Sequence, residues 1–188
     1  MYARYGKRAL DIVVSGMALL CLSPILAGLA IGARLASPGP AIFRQRRVGR
    51  DGQMFTFFKF RSMPVDTGDI ESRELGVVEL TRYGRFIRRT SLDELPQLFN
   101  ILIGDMSIVG PRPPIESQHS LIQLRSNNGA LACRPGLTGL AQINGYDGMP
   151  VPDKAAFDGR YAQHITFAAD ALIIFKTFAY LRKPPPKY

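Results

Sequence analysis

An unbroken run of apolar and small residues from Ile12 to Ala33 dominates the polarity pattern, and beyond it the apolar stretches are short and separated by polar or glycine-rich breaks. The run holds 22 residues and no charge. As a straight helix it would reach about 33 Å, enough to cross a bilayer. Ser23-Pro24 falls in its middle. A proline there removes a helix hydrogen bond and crowds the preceding turn, so a break or strong kink is predicted, with Ser23 placed to serve a backbone group that the proline frees.

After Ser37-Pro-Gly-Pro40 the character changes. Ala41–Val48 and the aromatic stretch Met54–Arg61 flank Gly49-Arg-Asp-Gly52, which has the chemistry of a tight turn, so a β-hairpin is predicted. Val65 to Val78 is polar and mixed in charge, as a mobile loop is. Leu80 to Arg89 suits a short helix, and Leu95, Leu98, Phe99, Leu102 and Ile103 recur at helical spacing as core positions. Ile115 to Ser126 suits another helix, ending at the loop Asn127-Asn-Gly129. Arg134 to Gly145 carries too many glycines for a helix and is predicted to be a loop whose backbone lines a ligand. Phe167 to Leu181, followed by a basic tail, suits an interfacial helix or a core helix. The fold class is α/β, mostly α with one short hairpin, and the chain divides into residues 1–37 and 38–188.

Charge decides what the apolar run is for. Net charge is +9, and the first fifty residues hold Arg4, Lys7, Arg8, Arg34, Arg44, Arg46, Arg47 and Arg50 against Asp11 alone. Such a basic excess suits nucleic acid or an anionic membrane surface, and the greasy segment it flanks favours the membrane. Both flanks prefer the cytoplasmic side, a preference met by a re-entrant helix-break-helix hairpin that enters and leaves by one face. A cleavable signal peptide fits poorly, because the charge-free segment exceeds a usual h-region. Cys21 and Cys133 are too few for a disulfide framework and are expected to be reduced. His119 and His164 stand apart, without zinc spacing.

The chemistry gathers in Arg88 to Pro113. Ser91-x-x-Glu94 before an apolar run has the form of a capping box, but two neighbouring carboxylates cannot both cap one helix, so at least one of Asp93 and Glu94 is free for other work. Arg85, Arg88 and Arg89 add positive charge to a predicted helix start, a combination suited to phosphate. Gly110-Pro-Arg-Pro113 is a rigid turn that would fix the Arg112 guanidinium, and Lys59 and Arg61 are further candidates for substrate phosphates.

Ser91-Leu-Asp-Glu-Leu-Pro-Gln-Leu-Phe-Asn100, Gly104-Asp-Met-Ser-Ile-Val-Gly-Pro-Arg-Pro113 and Arg134-Pro-Gly-Leu-Thr-Gly-Leu-Ala-Gln-Ile-Asn-Gly145 resemble the bacterial sugar transferase family, and more narrowly its small monotopic phosphoglycosyl transferases. The resemblance runs from about Tyr5 to Lys176. It implies the re-entrant membrane hairpin at residues 1–37, a cytosolic catalytic domain at 38–188 with interfacial helices, and a place on the cytoplasmic face of the bacterial inner membrane. It also implies transfer of a phospho-sugar from a UDP-sugar to polyprenol phosphate with release of UMP. Asp93 is then the expected nucleophile and Glu94 a metal ligand, positioning group or base. Mg²⁺ on Asp93 and Glu94 would let a carboxylate approach the anionic donor, with Lys59, Arg88 and Arg112 holding the remaining charge. Phe58-Lys-Phe-Arg-Ser-Met63 matches the family pattern around Lys59. Gln142 and Asn144 are implied near the nucleotide-sugar, and Asp158 as a secondary substrate residue. Tyr146-Asp147 departs from the family's Arg-Asn, which leaves sugar recognition open, and His164 stands where Asn is usual.

Two other readings belong to different classes: a basic peripheral or nucleic-acid-binding module in which the carboxylates only cap a helix, and a soluble enzyme whose first segment is a buried helix. The resemblance points away from a nucleic-acid partner. The sugar, the pathway and the oligomeric state stay open.

Overall fold

The computed structural model describes residues 1–63, 80–145 and 149–181, so the expected loop at Val65 to Val78, the Tyr146-Asp147 departure and the basic tail lie outside the described residues. Ordered structure begins with a short wide turn, Tyr2–Gly6, leading into α1, Lys7–Ala36. The hairpin follows as β1 (Ile42–Val48) and β2 (Met54–Phe60), antiparallel, with Phe43 opposite Lys59. Its turn carries Asp51 and Gly52 at positive φ, the conformation that Gly49-Arg-Asp-Gly52 implies. Then come α2 (Arg82–Arg89), a single 3₁₀ turn (Leu92–Glu94) and α3 (Gln97–Ile103). The rest is β3 (Ser107–Val109), α4 (His119–Asn127), β4 (Gly136–Thr138), α5 (Leu140–Asn144), α6 (Val151–Gln163) and α7 (Phe167–Leu181). The chain is mostly helical with short strands, as the polarity pattern implies.

Three local expectations are corrected. The break at Ser23-Pro24 is absent, and α1 runs through Pro24 as one helix. Proline leaves the Leu20 carbonyl without its N–H partner, and the Ser23 hydroxyl donates to that carbonyl at 2.8 Å, so the continuous helix keeps the bond count. Packing of Leu22 and Leu26 against the domain holds the turns on either side of the proline. The predicted loop Arg134 to Gly145 instead contains β4 and α5. β4 pairs in parallel with β3, where Gly110 and Gly136 approach so closely that a Cβ on either would clash with the other segment's backbone. Pairing between three-residue strands so far apart in sequence leaves no periodic trace.

The third correction concerns the carboxylates. Ser91 has φ of 54° and its side chain makes no cap hydrogen bond, so the capping box does not form. Asp93 and Glu94 stand on the 3₁₀ turn, and the α-helix begins only after Pro96, which has no N–H to give.

α1 lies along the domain for most of its length. Ala18, Leu19 and Leu22 pack on a core of Phe55, Phe57, Leu98, Ile101 and Met106, while Leu26, Leu29 and Ala30 join Phe60 and Ile87 in a second core. Near the start of the helix, Arg8 donates to the Ile101 and Leu102 carbonyls, and the buried Asp11 carboxylate accepts from the Ser107 hydroxyl and the Ile108 N–H. Near its end, the Tyr83 hydroxyl donates to the Leu29 carbonyl. The opposite face exposes Ile12, Val13, Val14, Met17, Leu20, Ile25, Ile31 and Leu35. α7 also turns large apolar side chains outward, Phe167, Leu172, Phe175 and Phe178, while Ile173 packs inward against Val109 and Tyr161. Its buried Asp170 receives hydrogen bonds from Tyr2, Lys7 and Tyr161, tying the chain's first residues to its last helix.

Candidate active site

Leu95 packs against both cores and Leu92 against the second, so the segment between α2 and α3 is wedged where the two meet. That wedge fixes Asp93. Its neighbour across the seam is β2, one edge of which pairs with β1 while the other is held by Asn100. The Asn100 amide donates to the Thr56 carbonyl at 2.7 Å and its oxygen accepts from the Phe58 N–H at 3.1 Å. A side chain of α3 thus takes the place of a third strand and holds β2, with Lys59 on it, beside the carboxylates. The sequence motif contains Asn100, but its periodicity gives no hint of this service, since a fully buried Asn at a core position is legible only once the strand beside it is known.

Asp93 is 8% exposed and Glu94 half-buried. Burial is the main cause that pushes the Asp93 carboxyl up to about 6, followed by the negative charge of Glu94; Lys59, Arg88 and Arg112 pull the other way. Lys59 is lowered by burial first, with Asp93 opposing and the Arg88 and Arg47 charges reinforcing the shift. It sits over the Phe43 ring at 5.1 Å. Arg112 reaches across from the Gly110–Pro113 turn and donates to Glu94 Oε1 at 2.7 Å. Asp93, Glu94, Lys59, Arg88 and Arg112 therefore form one electrostatic group of two carboxylates and three cations, drawn from β2, α2, the 3₁₀ turn and the turn after β3.

The other expected site residues stand differently. Asn144 is exposed and donates to its own helix, at the Leu140 carbonyl; the Gln142 amide donates to the Leu137 carbonyl, and its oxygen is buried without a partner. They sit on α5, which begins at Gly139 against the Gly110 backbone, and no described hydrogen bond links them to the carboxylates. Asp158 is 1% exposed and spent on Arg125, whose Nε and Nη2 both donate to its Oδ2, at 2.9 and 2.6 Å. Its carboxylate is buried against Arg125, away from the carboxylate pair on the 3₁₀ turn. Arg125 in turn donates through Nη1 to the Arg112 carbonyl at 2.8 Å. Asp158 thus reaches the site at second hand, by holding the arginine that holds Arg112. The trace of Arg125 in the sequence is a charge one helical turn after the core residue Leu121, a position that usually carries an apolar side chain.

Among the described residues no cluster of three or more His, Cys, Asp and Glu side chains is built to hold a metal. The Asp93-Glu94 pair fits the other mode of Mg²⁺ binding, in which one or two carboxylates share the ion with substrate phosphates and water.

The pattern of the family described as "Bacterial sugar transferase" matches residues 2–183. The chain is 42% identical over 188 residues to the UDP-glucose:undecaprenyl-phosphate glucose-1-phosphate transferase of Escherichia coli, covering 93% of this chain and 39% of that protein. It is 38% identical to the undecaprenyl-phosphate galactose phosphotransferase of Salmonella typhimurium, with 93% and 40% covered. With the exopolysaccharide production protein ExoY of Sinorhizobium fredii the identity is 39%, over 92% of this chain and 83% of the relative. The chain spans about two fifths of the length of the first two.

Proposed function

Since the chain belongs to the bacterial sugar transferase family, we propose that it moves a hexose 1-phosphate from a UDP-hexose to polyprenol phosphate and releases UMP through an Asp93 phospho-sugar intermediate. The observation that carries this reading is the two-carboxylate, three-cation group around Asp93. A carboxyl group that attacks a diphosphate must be ionised, yet surrounded by enough positive charge to let another anion approach. In the first step an Asp93 carboxylate oxygen attacks the phosphorus that bears the sugar, the bond from that phosphorus to the UMP oxygen breaks, and UMP leaves with the electron pair. In the second, an oxygen of the lipid phosphate attacks the same phosphorus and the acyl-phosphate bond breaks, which regenerates the carboxylate. Neither step moves a proton. Lys59, Arg88 and Arg112 offset the charge of the five-coordinate phosphorus, and Arg112 holds Glu94 so that two like charges can stand side by side. Mg²⁺, held by Asp93, Glu94 and the donor phosphates, would supply charge neutralisation.

The enzymatic reading is tested by incubating the detergent-purified chain with a panel of UDP-sugars and polyprenol phosphate. UDP-glucose and UDP-galactose come first, because relatives carry those sugars in their names. Mg²⁺-dependent UMP release with one of them is the expected outcome; none with any sugar contradicts the reading.

The proposal includes a monotopic placement on the cytoplasmic face, with the exposed apolar side of α1 in one leaflet and both of its ends on the cytoplasmic side. α1 is fastened to the same domain at both ends, by Lys7, Arg8 and Asp11 at its start and by the Leu29 and Ala33 carbonyls near its end, while its other face is apolar and exposed. Such attachment favours one-sided insertion over a span, and the outward Phe167, Phe175 and Phe178 of α7 add a second apolar surface suited to the headgroup boundary. Single cysteines placed at Tyr5 and Ser37 are expected to react only with reagent supplied from the cytoplasmic side. Labelling of either from the periplasm would mean that α1 spans.

A further inference from the structure

Arg61 is a buried cation with most of its hydrogen-bonding capacity unmet. It is 6% exposed, and only Nη2 has partners, the Ala33 carbonyl at 3.1 Å and the Ser37 carbonyl at 2.6 Å. Nε and Nη1 are buried with no hydrogen-bond partner. Three of the guanidinium's five N–H bonds have therefore left water without a partner. Capping the last carbonyls of α1 accounts for Nη2 alone. Such a group is costly to bury unless something with oxygen acceptors and negative charge joins it.

Its place in the fold says which anion. Arg61 extends β2 by one residue, its N–H bonded to the Ala41 carbonyl, and in an extended chain residues two apart share a face, so it stands on the side of the strand that carries Lys59, about 6–7 Å along. Lys59 belongs to the charge group around Asp93, and Arg61, two residues further along the same strand face, is the next cation from the reaction centre toward the end of α1. Its other neighbour is the end of the membrane helix, where the charge-free run closes at Ala33 and Arg34 begins the polar flank, with Ile25, Ile31 and Leu35 exposed alongside.

We propose that Arg61 is the seat of the acceptor's phosphate monoester: the lipid phosphate joins the Nε and Nη1 donors at the seam between α1 and β2, its polyprenyl tail lies along the exposed face of α1, and its free oxygen is turned toward the phosphorus on Asp93. This rests on the two-step reading above and adds to it a separate anion subsite for the second substrate. The seam must part to admit the phosphate, and the unmet N–H bonds gain partners only when it does. No further reagent is involved, since the acceptor oxygen forms the new bond as the acyl-phosphate bond breaks.

The test separates the half-reactions. Wild type, Arg61→Met and Arg61→Lys are compared in nanodiscs for the UMP burst with donor and Mg²⁺ but no acceptor, and then for discharge of the adduct when polyprenyl phosphate is added. Arg61→Met is expected to keep a burst within about threefold of wild type, which also reports an intact fold, while the KM for polyprenyl phosphate rises at least tenfold. Arg61→Lys, which keeps the charge with fewer donors, is expected to fall between. Nanodiscs of neutral lipid and of phosphatidylglycerol distinguish the source of the phosphate. A raised KM in both lipids assigns the acceptor, whereas an effect confined to phosphatidylglycerol would assign a phospholipid headgroup and overturn the proposal. A normal acceptor KM in either variant overturns it too. If Arg61→Met also loses the burst, Arg61→Lys decides, by a raised acceptor KM on a normal burst; loss of the burst in both variants would place Arg61 in the fold or the donor step. Absence of any burst in wild type would instead defeat the two-step reading itself.

Discussion

Asp93→Asn is expected to abolish UMP release from the UDP-sugar, by on the order of 10⁴-fold or more, and to do so with no lipid acceptor present. An amide is nearly isosteric with the carboxylate but cannot form the acyl phosphate, so the first half-reaction is lost and no acceptor rescues it. The same variant should be more stable than wild type at neutral pH. The Asp93 carboxyl titrates at about 6 in the fold and near 3.8 when free, so between those values the folded state binds more protons than the unfolded. Wild-type stability therefore falls as pH rises from about 4 through 6, and the Asn variant escapes that fall. Activity follows the opposite course, because the anionic form is the nucleophile. Single-turnover UMP release should rise as Asp93 ionises and then level, at a pH below 6 where bound Mg²⁺ favours the anion, and at higher pH in Lys59→Met, which removes an attracting charge. A wild-type profile flat across this range would show that Asp93 ionisation does not limit the step.

The second large effect is on stability and lies at some distance from the carboxylates. Arg125→Met leaves the Asp158 carboxylate 1% exposed with its ion-pair partner gone, a situation that costs about 3–5 kcal/mol. In a chain of this size that corresponds to a fall in apparent Tm of about 6–20 °C. Replacing both members, as in Arg125→Met with Asp158→Leu, removes the stranded charge and should recover most of the loss, since buried ion pairs are near neutral against apolar residues of similar volume. Activity should not recover with it, because the Arg112 carbonyl still lacks the Arg125 donor and the turn that aims the guanidinium at Glu94 is slack. The expected pattern in the double variant is near-normal melting with reduced kcat. If kcat recovers together with the melting temperature, the pair serves only the fold.

Local chemistry accounts for what the sequence made legible. The hairpin turn needs residues that accept positive φ, and Gly49-Arg-Asp-Gly52 supplies them within four positions. α2 falls within the expected stretch Leu80 to Arg89, and in the fold Thr81 caps it, its side chain accepting from the Gly84 N–H at 3.0 Å. Adjacent acids beside a run of arginines likewise pointed to a charged centre. Features that depend on partners far along the chain left no comparable mark. The parallel pairing of β3 with β4 involves segments too short to alternate, and the Arg125–Asp158 pair joins residues 33 positions apart, so nothing local pointed to it. Ser91-x-x-Glu94 misled in the opposite way. The letters match a helix start, but Pro96 and the left-handed Ser91 turn the segment into a 3₁₀ turn that pushes Asp93 between two cores instead of capping anything. Pro24 misled similarly, since a serine one residue earlier supplies the hydrogen bond that the proline cannot.

The covalent role of Asp93 is tested most directly by mass. The purified chain is incubated with Mg²⁺ and the productive UDP-sugar in the absence of polyprenol phosphate, quenched, and measured intact and after proteolysis. The expected result is a mass increase equal to one phospho-sugar, mapped to Asp93 and discharged when polyprenol phosphate is added before the quench. An adduct on Glu94, or UMP release that begins only when both substrates are present and leaves the protein unmodified, would contradict the account.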